Sequence, residues 1–214
     1  MTNKPQFQSD DPHDVPTAKR ANYLMWIFII GVVALMGALL VMPRGSNGGR
    51  YGTAHPSVGK APEDWTLEPL TGDPPAIALA DLKGKVTLVN FWGTWCPPCQ
   101  VEFPHIVKLW EELRGDPSFQ LAAVSCEPGI EKDIDELRET TARFLDNAKT
   151  EMPTYYDPQG VSRLATMDVT GEDLAYPATI LFGRDGKVHA YWRGYMPGME
   201  KEVDKAVRAA LAEK

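Results

Sequence analysis

An apolar run, Val86-Thr87-Leu88-Val89-Asn90-Phe91-Trp92, leads into Trp95-Cys96-Pro97-Pro98-Cys99, and a helical pattern comes after it. Such a run suits a strand buried on both faces of a sheet with helices above and below. Two thiols held two residues apart at the start of a helix can close to a disulfide and reopen. The helix N-terminus carries a partial positive charge, which stabilises a thiolate, the nucleophilic form of cysteine. Strand, Cys-x-x-Cys, helix therefore predicts a redox site in an α/β domain.

Composition removes competing uses of those thiols. Only 3 Cys occur in 214 residues, too few for a disulfide-stapled scaffold. The 4 His are scattered at positions 13, 55, 105 and 189, without zinc-ligand spacing. No metal and no cofactor are expected. The net charge is −7, and residues 1–42 carry 3 basic and 3 acidic side chains, so the acidic excess belongs to residues 43–214. An acidic domain is unsuited to nucleic acid, which is bound through basic patches.

Residues 1–20 are polar, hold Pro5, Pro12 and Pro16, and show no apolar periodicity. They read as a disordered tail on the cytoplasmic side. Residues 21–42 carry no charge and include Trp26, Ile27, Phe28, Ile29, Ile30, Val32 and Val33. At about 1.5 Å per residue this run matches a hydrocarbon core of roughly 30 Å. It reads as one uncleaved transmembrane signal-anchor; a cleaved signal peptide and a buried core helix are the alternatives. Lys19 and Arg20 favour the N-terminus inside. A dithiol that works on disulfides is also most useful outside the reducing cytosol. The catalytic domain is thus expected to face the periplasm or another extracytoplasmic space, held at the inner membrane. Residues 43–60 contain five Gly and read as a flexible linker.

The folded domain is expected over residues 61–214. Trp65, Leu67 and Leu70 before Thr71-Gly72-Asp73, with Ile77 and Leu79 after it, predict a hairpin. Then come the strand at Val86–Trp92 and a helix with Phe103, Ile106, Val107, Trp110 and Leu113 at helical spacing, kinked at Pro104. Next are a strand over 119–124, a helix over 131–149, a short extended piece at 153–157 and a short helix over 159–167. Residues 168–175 read as a polar loop. Strands over 179–182 and 188–192 flank Asp185-Gly186, a strong hairpin signal, and a helix closes the domain. Two central parallel strands joined by a helix, with hairpin strands added, make a mixed sheet flanked by helices.

Asn90-Phe91-Trp92-Gly93-Thr94-Trp95-Cys96-Pro97-Pro98-Cys99, with Glu102-Phe103-Pro104 after it, resembles the signature of membrane-anchored thioredoxin-like proteins of the TlpA/ResA type. Ala61-Pro62 with Trp65-Thr66-Leu67, Asp81-Leu82-Lys83-Gly84-Lys85 and Tyr176-Pro177-Ala178-Thr179 fit the same pattern, so the resemblance covers about residues 60–214. It implies a thioredoxin-like fold with an N-terminal β-hairpin extension. It implies an extracytoplasmic thiol–disulfide oxidoreductase that keeps partner cysteines reduced, as in apocytochrome c maturation (cytochrome c biogenesis) or copper-centre assembly. The partners implied are a disulfide-bearing protein substrate and a membrane dithiol donor.

The residues of these blocks take distinct roles. Cys96, at the helix start, is the exposed nucleophile that attacks a partner disulfide. Cys99, one turn inside, is the buried resolving thiol. Where thioredoxins carry an Asp in the preceding strand this chain has Asn90, which cannot act as a base. Glu102, three residues after Cys99, lies near the same helix face. The resemblance makes it the proton-transfer group, against a solvated helix glutamate. By resemblance Pro177 is the cis proline facing the dithiol, and Trp95 and Tyr176 join it in holding substrate. Pro97 and Pro98 have no backbone N–H, so fewer donors face the Cys96 sulfur and the couple should be reducing. Cys126 reads as a core or loop thiol, His105 as a surface histidine, Trp92 as packing around the site. Tyr155 and Tyr156 are open between substrate groove, core and surface. Two other functions compete: a thiol peroxidase, and a copper chaperone, which would need a His near Tyr176-Pro177.

Overall fold

The structure, a computed structural model, describes residues 25–36, 51–128 and 133–213. The chain divides into two compact units, Met1–Ser46 and Asn47–Lys214. In the first, residues 25–36 form a helix with every side chain exposed. Among the described residues no helix is long and apolar enough to cross a membrane. The expected tail at 1–20, the remaining anchor residues at 21–24 and 37–42, and linker residues 43–50 lie outside the described residues.

The second unit runs β1 (Thr66–Thr71), β2 (Ile77–Ala78), β3 (Val86–Trp92), α1 (Pro97–Leu113), β4 (Phe119–Ser125), α2 (Ile134–Ala148), β5 (Thr154–Tyr156), α3 (Val161–Thr170), β6 (Ala178–Phe182), β7 (Val188–Arg193) and α4 (Met199–Ala212). One mixed sheet has the order β2-β1-β5-β4-β3-β6-β7. β3 and β4 are parallel, as the intervening helix predicts, with Val86 opposite Phe119 and Trp92 opposite Ser125. β6 lies antiparallel on the other side of β3 and carries β7 as a hairpin. The N-terminal hairpin joins this sheet through β5, which pairs antiparallel with β1 and parallel with β4.

All seven residues of β3 are buried, and they serve two cores in alternation. Leu88 and Trp92 pack with Phe103 and Ile106 of α1 and Val203 and Val207 of α4. Val89 and Phe91 pack on the opposite face with Trp65, Val124, Val169 and Ile180. Asn90 has the parity of the first set, so its amide faces the α1 side as a buried polar group that needs a partner there.

Pro104 lies inside α1, which continues to Leu113. Two local expectations change. The polar stretch expected over 168–175 is helical up to Thr170. There the hydroxyls of Thr166 and Thr170 bond the carbonyls four residues back at 2.8 and 2.7 Å, and Gly171 at φ 72° ends the helix. The linker expected over 43–60 is, from residue 51 onward, part of the folded unit. Gly52 exchanges both backbone hydrogen bonds with Tyr191, and Gly59 and Lys60 bond Val188. His55 is buried against the Tyr191 ring at 4.9 Å, its Nδ1 2.7 Å from Ser57 Oγ. Glycine content signalled freedom; the available edge of β7 and one buried histidine hold the strap in place.

Candidate active site

Cys96 is the N-cap of α1 and Pro97 and Pro98 are its first two residues. The usual donors at a helix start are thereby removed, since neither proline has an N–H. One remaining N–H, that of Cys99, points at Cys96 Sγ at 3.3 Å, and the next, of Gln100, goes to the Cys96 carbonyl. The two cysteines are joined as a disulfide with their Cα atoms 5.3 Å apart. The expected contrast in exposure is absent: Cys96 is 3% and Cys99 1% exposed. Bonded to Cys99 and turned over the helix end, the Cys96 sulfur sits within the core cluster of Trp92 and Phe103. The exposed surface around it is supplied by Trp95, Pro97 and Pro98.

A second N–H at that helix end would favour the thiolate and so the reduced form. Pro98→Ala is expected to make the reduction potential less negative by about 30–60 mV, the equivalent of one hydrogen bond to a charged group. Equilibration with glutathione measures this; an unmoved potential would mean that donor number does not set it.

Glu102 is the unusual group. It is 3% exposed, one turn into α1 beyond Cys99. Asn90 Nδ2 donates to its Oε2 at 2.8 Å and to Thr179 Oγ1 at 2.9 Å, while the Thr179 hydroxyl donates to the same carboxylate. The β3–β6 register sets Asn90 opposite Thr179. Burial pushes the Glu102 carboxyl up to about 7, and the Asn90 and Thr179 hydrogen bonds only partly offset it. Asn90 thus lacks the acid–base capacity of an Asp but orients the Glu102 carboxyl. Thr179 belonged to a recognised sequence block, yet its role becomes visible only once β6 is paired with β3.

The Tyr176–Pro177 peptide bond is cis, as the resemblance implies. Pro177 is buried and its carbonyl accepts the Gly194 N–H at 2.7 Å. Tyr176 is half-buried; Trp95 meets its ring edge-on at 5.5 Å and Arg163 Nη1 reaches its hydroxyl at 3.5 Å. Arg163 is in turn fixed by the buried Asp157 carboxylate at 3.0 Å. Trp95 is 41% exposed, and its Nε1 donates to the Cys126 carbonyl at 2.9 Å. The indole crosses Gly93, where a Cβ would strike both the ring and the Cys126 carbonyl, so only glycine fits. Sequence reading missed Arg163 and Asp157: an ion pair six residues apart across a 3-10 turn has no local signature.

The remaining candidates divide. Cys126 is buried and burial pushes its thiol up to about 12, which makes it an inert core thiol. Tyr155 is core, whereas Tyr156 lines a cavity of about 140 Å³ with Cys126, Asp157 and Arg163. Trp92 is buried on Phe103 at 4.6 Å. His105 is exposed and stacks on Tyr195.

The AhpC/TSA family profile matches residues 58–191, the whole span from the strap to β7. The chain belongs to the AhpC/TSA family. Within it, the chain is similar to the thiol-disulfide oxidoreductase ResA of Halalkalibacterium halodurans, at 32% identity over 130 residues, 61% of this chain and 65% of that one. The thioredoxin-like protein YneN of Bacillus subtilis is 31% identical over 145 residues, 67% of this chain and 76% of that one. The chain therefore spans just under two thirds of the ResA relative's length. Among solved structures, a thiol:disulfide interchange protein of the thioredoxin family from Chlorobium tepidum superposes with a TM-score of 0.53 at 22% identity, covering 71% of this chain and 95% of that one. A secreted thiol-disulfide isomerase from Corynebacterium glutamicum does so with a TM-score of 0.53 at 22% identity, covering 71% and 86%. The fold of this AhpC/TSA-family chain is thioredoxin-like.

Proposed function

We propose that the protein is a thiol–disulfide oxidoreductase that reduces disulfides of partner proteins through Cys96 and Cys99. The observation that carries this reading is a closed dithiol at a helix N-cap with a buried carboxyl of raised pKa one turn on. The names of the ResA relatives support it. In the exchange, the Cys96 thiolate attacks one sulfur of the partner disulfide, and the partner's other sulfur leaves as a thiolate and takes a proton. Cys99 passes its proton to the Glu102 carboxylate and attacks Cys96 Sγ. The Cys96–Cys99 disulfide closes, and the partner's second thiolate departs and is protonated. The partner gains two electrons and this protein loses two. A membrane dithiol donor would return them.

Trp95, Tyr176 and Pro177 are assigned to substrate holding. Pro177's carbonyl is taken by Gly194, whereas Tyr176 pairs with no backbone group among the described residues, so its backbone is the part available to an extended partner segment. An extracytoplasmic setting suits a couple of this kind, and one relative in structure is described as secreted. Anchoring by the uncharged residues 21–42 is supported by the exposed apolar side chains of the helix at 25–36. Partners of the apocytochrome c or copper-centre type are the class we favour. Peroxide reduction is disfavoured by the paired cysteines and by the relatives' names.

The test is a redox titration of the full chain with glutathione, together with reduction of a disulfide-bearing protein by the reduced form. A potential nearer the roughly −270 mV of thioredoxin than the roughly −120 mV of DsbA is expected. A potential at the DsbA end, or a reduced chain that consumes peroxide while leaving protein disulfides intact, would overturn the reading.

A further inference from the structure

A groove of about 540 Å³ runs between α1 and α4. Glu102, His105, Ile106 and Leu109 line it from α1, Glu200 and Val203 from α4. Its far end is tied by Arg208 to Glu112 and Asp204. At the near end the Tyr195 ring lies parallel to His105, centroids 6.4 Å apart, and the Tyr195 hydroxyl donates to Glu200 Oε2 at 3.2 Å. Glu200 is itself fixed by the Gly198 N–H at 2.9 Å. Glu102 is therefore sealed on its sheet side by Asn90 and Thr179 and borders free space on the other.

Resting on the dithiol reading, we propose that this groove is the proton outlet of Glu102, with His105 at its mouth as the exchange group. Each turnover loads one proton from Cys99 onto Glu102, and the carboxyl must release it before it can accept another. Asn90 and Thr179 cannot take it, since neither an amide nor a hydroxyl is a base at neutral pH. In the mixed disulfide a partner covers Trp95, Cys96 and Tyr176, and none of these lines the groove. The polar groups at the outlet are Asn90 and Thr179 beside Glu102 on the sheet, His105, Lys108 and Glu112 from α1, Glu200, Lys201, Asp204 and Arg208 from α4, and Tyr195 from the preceding loop; Glu112, Asp204 and Arg208 are tied to one another at the far end. Of these an imidazole is the side chain that exchanges protons most readily near neutral pH. The Tyr195 hydroxyl is held above its ordinary range by burial, by its bond to Glu200 and by the Glu200 and Glu102 charges, which links the mouth electrostatically to the buried carboxyl. His105 acts through Glu102 and is a positioning residue, not a catalytic one.

The test uses the reduced full chain mixed rapidly with dithiobis(nitrobenzoate). Attack by Cys96 releases one coloured thiolate, and resolution by Cys99 releases the second. At pH 6, where Glu102 holds its proton and must discharge it before it can accept that of Cys99, the second phase in His105→Phe at low buffer concentration is expected to slow about tenfold, below the usual cost of losing a direct acid–base group, with the first phase unchanged. Added imidazole should restore it, and the pH dependence of the second phase should move. A second phase unaffected by His105→Phe, or slowed but not restored by imidazole, overturns the outlet while leaving the dithiol reading intact. Absence of the first phase in the unaltered chain removes the dithiol reading, and the outlet with it.

Discussion

Cys99→Ala is expected to stop turnover at the mixed disulfide. Cys96 keeps its place at the N-cap of α1 and the backbone N–H three residues on remains aimed at its sulfur, so the first attack survives. Nothing is then available to break the new bond. Cys126 cannot substitute: its thiol is buried, pushed up to about 12, and directed at the Val124 carbonyl at 3.6 Å. Covalent adducts through Cys96 should accumulate and dissolve on addition of reductant, which electrophoresis without reductant will display. Steady-state reduction of a protein disulfide should fall to background, whereas Cys96→Ala should yield neither adduct nor turnover. Turnover by Cys99→Ala at the native rate would show that Cys99 is not the resolving thiol.

Glu102→Gln should act on rate and on stability in different ways. On the proposed function the carboxylate is the base for Cys99, and its ordinary value of 4.5 is pushed up to about 7 by burial. Resolution by the native protein should therefore accelerate as pH rises through about 7. The glutamine variant should lose that inflection and run about a hundredfold slower, the lower end of acid–base contributions. For stability the sign is opposite. The folded protein keeps the Glu102 proton up to about pH 7, whereas the unfolded chain releases it near 4.5. The contribution is full below pH 4.5 and is lost as pH rises through about 7, a fall of about 3 kcal/mol in unfolding free energy. The substituted glutamine retains an oxygen to accept the Asn90 amide but carries no titrating proton, so that slope should vanish. Denaturant unfolding of the disulfide form across this pH range is the measurement; an undiminished slope in Glu102→Gln would assign it elsewhere.

Local pattern carried most of the domain's architecture. Val86–Trp92 is continuous and apolar because it is central, and the parallel β3–β4 pair is dictated by the helix between them. Cys96, Cys99 and Glu102 lie at three-residue spacing along one helix start, so their proximity is a matter of sequence distance. What lay beyond reach depends on long-range pairing. Thr179 meets Asn90 only across the β3–β6 ladder, and Arg163 meets Tyr176 only when α3 is packed. The burial of Cys96 was missed because helix-end position predicts access, while the closed disulfide and the Trp92 side of the core take it away. Residues 51–60 have linker composition, but four backbone hydrogen bonds to β7 outweigh it.

The strap on β7 has a consequence under the proposed function. A reductant of protein disulfides would meet extended, incompletely folded chains, and an open sheet margin would be a template for them. Here one margin is the two-residue β2, and the other is occupied by Gly52, Gly59 and Lys60. Among the described residues neither side of the sheet offers a long free ladder. On the proposed function a visiting chain would be confined to the strand ends beside Tyr176 and denied the flanks, where it would nucleate aggregation.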